Sequence, residues 1–179
     1  MRYCANRISA LSCTLLLSAC SAPPLRIDAA QVAQGALSAQ LSWTRNTIVL
    51  DALDHGIALD FTLRLRACGP ARMGWRDTLA RVDRHLELRF FPLSRRYQLR
   101  DLDRNETRTY EARALLVAAF EDLRLALPAG FVRPDTQSYT MRIDLERERL
   151  PGALRLPALL DANWRLSSGE YAWPATAVD

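Results

Sequence analysis

Few side chains in this sequence could make or break bonds. His55 and His85 are the only histidines, and Cys4, Cys13, Cys20 and Cys68 the only cysteines. A zinc site collects three or four Cys, His or carboxylate ligands, usually from closely spaced pairs. Asp51 and Asp54 lie near His55, and Asp83 and Glu87 near His85, but no His-x-x-x-His or paired cysteine accompanies them. The two histidines therefore read as solvated or helix-capping groups.

A serine nucleophile is also hard to assemble. Ser167-Ser168-Gly169 lacks the flanking pattern of a Gly-x-Ser-x-Gly elbow. Cys68 precedes Gly69-Pro70 and would need a distant histidine, so it reads as a half-buried apolar residue at a strand end. Acid pairs such as Asp101 with Asp103, or Asp144 with Glu146, carry little meaning in a chain with 20 acidic residues. Seven glycines, spread singly, make no phosphate-binding loop or dinucleotide fingerprint. The reading is of no enzyme, no metal and no cofactor.

The arginines are the remaining functional candidates. Residues 90 to 101, FFPLSRRYQLRD, set Arg95, Arg96 and Arg100 among Phe90, Phe91 and Tyr97, a mixture that could serve phosphates and stacked bases. All 24 basic residues are Arg, however, which points to codon usage as much as to phosphate binding. Along the predicted strands the arginines interleave with acids: Asp60 with Arg64, Asp83 and Glu87 with Arg81 and Arg89, Asp144 and Glu146 with Arg142 and Arg147. A nucleic-acid groove needs a stripe of one sign, so nucleic acid is excluded as a partner.

One cysteine has a more specific context. Residues 1–19 place Arg2 and Arg7 before an apolar run that ends in small residues, the layout of a secretory signal and too short for a membrane-spanning helix. The sequence Leu17-Ser18-Ala19-Cys20 resembles the lipobox of bacterial lipoproteins, in which cleavage before the cysteine leaves a diacylglyceryl thioether. Such acyl chains hold a protein at a membrane surface. Ser21 at the next position implies sorting to the outer membrane, by resemblance to lipoproteins. Ordinary cleavage nearby and an uncleaved anchor are the competing readings. Removing residues 1–19 takes two Arg away and leaves 24 − 2 = 22 basic against 20 acidic side chains, a net charge of +2. Cys68 would then be the only free thiol, with no partner for a disulfide.

The elements that position these residues follow from periodicity. At 179 residues the chain suits one domain. Residues 20–25, with Pro23-Pro24, read as a short tether, 26–175 as the domain and 176–179 as a tail. Two strands are expected around Gln34-Gly35, then a short helix capped by Asn46 and ended at Gly56 that plugs an edge or end of a sheet. Strict alternation predicts strands over 57–67, 79–91 and 138–148. RRYQLRD, TRTY and the stretch from Trp164 to Trp173 supply the others, and apolar spacing by three and four predicts one helix over 111–127. The fold class is α+β and mainly antiparallel, about eight strands in a sandwich-like or strongly curved sheet with two helices packed on it.

Several stretches, in order, resemble an uncharacterised proteobacterial family of exported proteins, domain of unknown function number 4390 in its series. They are Ala52-Leu53-Asp54-His55-Gly56-Ile57-Ala58-Leu59, Leu93-Ser94-Arg95-Arg96-Tyr97, Arg149-Leu150-Pro151 and Trp164-Arg165-Leu166-Ser167-Ser168-Gly169, within a span from Leu25 to Trp173. The resemblance implies export to the cell envelope and, because such genes often neighbour one for a membrane sensor kinase, an envelope partner of that kind. It supplies no activity, cofactor or site residue. The lipobox departs from the plain signal peptides common among members.

The expected function is a non-enzymatic envelope lipoprotein that docks a protein partner or assists sensing, with Arg95, Arg96, Trp164, Tyr171 and Trp173 as the candidate surface. The alternative is a periplasmic carrier or sensor of a small apolar ligand held between the sheet and the 111–127 helix. Labelled palmitate fed to cells is expected to enter the wild-type protein and not Cys20→Ala. Equal label in both would remove Cys20 as the acylation site.

Overall fold

The computed structural model describes residues 24–44, 46–72 and 75–175. The signal segment, the lipobox with Cys20, most of the tether and the 176–179 tail lie outside the described residues. In chain order the elements are β1 (Leu25–Ala33), β2 (Ala36–Trp43), α1 (Thr47–Asp54), β3 (Leu59–Arg72), β4 (Trp75–Phe91), β5 (Arg96–Asp101), β6 (Glu106–Tyr110), α2 (Arg113–Glu121), β7 (Asp122–Ala126), β8 (Ser138–Leu145), α3 (Gly152–Leu160) and β9 (Tyr171–Pro174). Single-turn 3-10 helices at Arg147–Arg149 and Ala162–Trp164 flank α3. Leu25, fully buried, opens the first strand rather than closing the tether.

The strands form two antiparallel sheets, one of three in the order β1-β2-β7 and one of six in the order β6-β5-β4-β3-β8-β9. The hairpin between β1 and β2 turns on Gln34 and Gly35, at φ 51° and 72°. A two-residue hairpin needs such left-handed conformations, which glycine adopts without a Cβ clash. In β3, Leu59, Phe61, Leu63 and Leu65 bury their side chains inward, as alternation predicts. Its outer side is only partly wet, because Asp60 and Thr62 are also buried. The strand does not stop at Cys68 but continues through Gly69-Pro70 to Arg72. Register shifts against β4 between Ala67 and Ala71 allow a proline inside a ladder.

Three elements differ from the sequence reading. The strand expected from Trp164 to Trp173 is only Tyr171–Pro174, because Trp164 lies in a 3-10 turn and the stretch between makes a single bridge at Ser167. The 111–127 helix ends at Glu121, and Asp122–Ala126 becomes a ninth strand on the edge of the small sheet. Leu123 and Leu125 face the core there with Arg124 outside, a period of two that pairing with Leu37 and Ala39 selects over the helical one. The Pro-bounded stretch after β8 folds into a third helix, α3, which keeps Pro157 within it.

The two sheets and α2 meet at three rings. Trp43 of β2 lies 6.0 Å from Phe61 of β3 and 5.7 Å from Phe120 of α2, and Phe61 and Phe120 are 4.7 Å apart, centroid to centroid. Helix α1 closes the adjacent end of the sandwich with Val49, Leu50, Ala52 and Leu53 buried. The Asn46 side chain accepts from Ile48 N at 2.9 Å, and Gly56, at φ 81°, follows the other end. Asp54 fixes this plug by accepting from Tyr97 Oη at 2.8 Å and pairing with Arg113.

Phe120→Ala is expected to lower the unfolding free energy by about 3–5 kcal/mol, because it empties the meeting point of three elements. Urea unfolding of the protein reads this out. A change below about 1 kcal/mol would show that the three rings do not unite the sheets.

Candidate functional site

The outer face of the large sheet gathers most of the charged groups. Asp144 of β8 is its hub: it accepts from Arg142 Nε at 2.8 Å, from Ser167 Oγ at 2.6 Å and, at 3.4 Å, from Arg64 Nη1. Ser167 and Ser168 are thereby bound along β8, with Ser168 N donating to Ile143 O at 3.0 Å. The serine pair serves the sheet, with a carboxylate and no imidazole at its hydroxyl. Arg81 pairs with Asp83 at 2.6 Å, as the interleaving of signs suggests. Asp60 pairs with Arg149 at 3.2 Å rather than with Arg64.

Asp60 is a buried carboxylate on this face. It is 9% exposed, its Oδ1 has no hydrogen-bond partner, and Glu87 and Glu146 are nearby. Burial pushes its carboxyl above the usual range, against the pull of Arg149.

The two histidines occupy separate settings. His55 caps α1, its Nδ1 2.6 Å from Asp51 O, while His85 on β4 has Nδ1 3.2 Å from the Asp103 carboxylate. Burial would raise the Asp103 carboxyl, but hydrogen bonds from the His85 backbone N–H and ring hold it below the usual range. Among the described residues no group of three or more His, Cys, Asp or Glu side chains is placed to hold a metal ion. Cys68 is buried in β3.

The candidate surface residues do not converge. Arg95 is exposed in the turn between β4 and β5 at φ 50°, and Arg96 beside it pairs with Glu111 at 2.5 Å. Trp164 is only 4% exposed and belongs to the core, which removes it from any accessible surface. Tyr171 and Trp173 of β9 are half-buried and stack with each other at 5.7 Å, Trp173 also lying 5.6 Å from Tyr139. They seal the β9 edge of the sandwich more than they project from it.

Sequence reasoning missed a seam at the opposite edge. A shallow cleft of about 30 Å³, open to solvent, runs between β6 and β7, with Leu86, Leu99, Leu123 and Leu125 beneath and Arg104, Glu106, Arg108 and Arg124 along the rims. Asp101, 7% exposed, turns one carboxylate oxygen to the backbone N–H groups of Asp103 and Arg104 and leaves Oδ2 unpartnered. Arg84, 9% exposed, reaches from β4 across to Ala126 O of β7 at 3.0 Å. The available signal was parity, since Arg84 stands on the inward series of β4 between Val82 and Leu86. The space between the sheets and α2, where an apolar ligand would lie, is filled by Trp43, Phe61, Leu116 and Phe120.

Two packed antiparallel sheets, capped by helices at one end and open along one seam, define a single sheet-rich α+β domain. The chain belongs to the family described as domain of unknown function DUF4390, whose model matches residues 24–174, nearly all of the described domain. No curated protein and no solved structure matches it.

Asp60→Asn is expected to stabilise the mature chain at pH 7 by about 1 kcal/mol, the low end for relieving a buried polar group. A carboxyl raised in the folded state penalises folding once ionised, so the advantage of Asn should shrink as pH falls through the folded value toward the unfolded one. Urea midpoints of both proteins from pH 7 to pH 4 test this. A variant less stable than wild type at pH 7 would mean that the pairing with Arg149 outweighs burial.

Proposed function

We propose that the protein is a cell-envelope lipoprotein without catalytic activity, anchored through acylated Cys20 at the periplasmic face of the outer membrane, whose domain docks a partner protein in envelope sensing or assembly. One observation carries the docking role. β6 is exposed from Glu106 to Thr109, and its outer edge has no strand partner among the described residues. β7, across the seam, is also the last strand of its sheet, but its Arg124 and Ala126 carbonyls already accept from Arg108 and Arg84, so the free edge is that of β6. A free strand edge presents unpaired N–H and C=O groups, and pairing with an extended segment of a partner is a recurrent mode of recognition. The charged rim of Arg104, Glu106, Arg108 and Arg124 discourages indiscriminate pairing and supplies register.

The periplasmic region of a membrane sensor kinase is the first partner to test, on the family resemblance. A photo-reactive residue in place of Thr107 or Thr109 is expected to crosslink one discrete envelope protein in living cells. The adduct should disappear when Thr109→Pro is combined with the probe at Thr107, since proline removes an edge N–H. Adducts no different from those obtained with the probe at Ser38, on the outer face of the small sheet, would reject docking at the seam.

A further inference from the structure

The large apolar side chains that remain exposed are not scattered. Ile48 lies in α1, Leu93 in the turn between β4 and β5, Leu115 in the first half of α2, and Leu156, Leu159 and Leu160 in α3. All of these segments connect strands at one end of the sandwich, the end where Leu25 faces Trp43, Phe61 faces Leu145 and Tyr97 faces Tyr110. The other end, with the Gln34-Gly35 turn and the loop from β7 to β8, contributes Val132 alone among the described residues.

α3 shows why this is more than incidental exposure. Leu156, Leu159 and Leu160 are spaced i, i+3, i+4 and so form one stripe. Leu154 and Ala158 form another, and it is this second stripe that packs on the core. The first is 71%, 41% and 83% exposed along its three leucines. Arginines surround it: Arg147 donates to Ala158 O and Leu159 O at 3.2 and 3.4 Å, and Arg155 to Leu150 O at 2.8 Å. From Arg147 to Arg165 there are four Arg against Glu148 and Asp161, and with Arg149 paired to Asp60 a surplus of one positive charge remains, 4 − 2 − 1.

The chain enters the domain at this same end, where Pro24 O accepts from Thr44 N at 2.8 Å, two residues before the cap of α1. Cys20 stands four positions before Pro24 in sequence. At no more than about 3.5 Å per residue, that leaves a reach of roughly 14 Å. An acyl group on Cys20 would therefore hold this end of the sandwich within headgroup distance of the bilayer.

We propose that this end of the domain rests on the membrane, with the Leu156, Leu159 and Leu160 stripe of α3 entering the lipid interface and the flanking arginines meeting anionic headgroups. Apolar side chains beside basic ones suit this setting. The proposal rests on acylation of Cys20, the reading on which the proposed function also depends.

The test uses the full chain, expressed and processed in a bacterium, purified and placed in vesicles of phosphatidylethanolamine and phosphatidylglycerol. p-Benzoylphenylalanine replaces Leu156, Leu160 or, as control, Val132, with circular dichroism verifying the fold of each. Irradiation is expected to give phospholipid adducts at 156 and 160 about ten times more abundant than at 132. Intact mass of the same samples reads acylation separately. An acylated protein with equal adducts at all three positions, or with protein instead of lipid captured at 156 and 160, overturns the seating and leaves the lipoprotein reading standing. A protein unmodified at Cys20 overturns both.

Discussion

Trp43, Phe61 and Phe120 belong to three elements that nothing local brings together, and their mutual packing decides where the rest of the chain can go. Neither sheet is stable alone with an apolar face in water, and each supplies the cover for the other. With β2 and β3 drawn to within ring contact, the link between them, Thr44 to Ala58, has one place to run, across the open end above the rings. That link is α1. Its buried stripe of Val49, Leu50 and Leu53 extends the same core, and its last residue, Asp54, takes hydrogen bonds from β5 through Tyr97 and from α2 through Arg113. The end plug and the start of α2 are thus consequences of one aromatic junction.

The surface electrostatics follow a simpler rule. Several ion pairs join residues two apart on one strand, among them Arg26 with Asp28, Arg81 with Asp83 and Arg142 with Asp144. Side chains two apart share a face, so such pairs assemble as soon as a strand forms. Being exposed, each adds little stability. They neutralise the wet face and leave no one-signed stripe there. Asp60 departs from this rule: it is buried on that face, paired with Arg149 from the turn beyond β8, and burial raises its carboxyl all the same.

Much of this was legible in the sequence wherever a single periodicity held over enough residues. The alternation of Leu59 to Leu65, of Leu86 to Leu88 and of Met141 to Leu145 places those strands and their inward faces without ambiguity. Asn46 and Gly56 mark both ends of α1 for local reasons of capping. Reading failed where two periods coexist. In EDLRLAL, Leu123 and Leu127 extend the helical stripe of α2 while Leu123 and Leu125 alternate, and only the free edge of β2 decides for a strand. In PGALRLPALL the proline discourages a helix, yet α3 forms because Leu154 and Ala158 find a surface to cover. The seam was invisible for a different reason, since it is a relation between β6 and β7, whose neighbourhood arises from sheet order rather than from any short motif.

The two proposed surfaces constrain each other. The end where the chain enters the domain carries α1, α3 and the start of α2, while the chain leaves β9 at the opposite end, where Ala175 N donates to Gln137 O. A domain seated on its helical end stands with its strands rising from the bilayer. β6 and β7 then run away from the membrane along one side, and their seam stays open to a partner approaching in the plane of the bilayer. A lipid chain alone would leave the domain free to swivel about a tether of a few residues. On the proposed seating, the leucine stripe of α3 would remove that freedom and, by ordering the seam before any encounter, would lower the orientational cost of docking. Under the two proposals, an apolar stripe at the tethered end and a polar, edge-exposed seam along the side would be parts of one arrangement, in which anchoring does the orienting and the seam does the recognising.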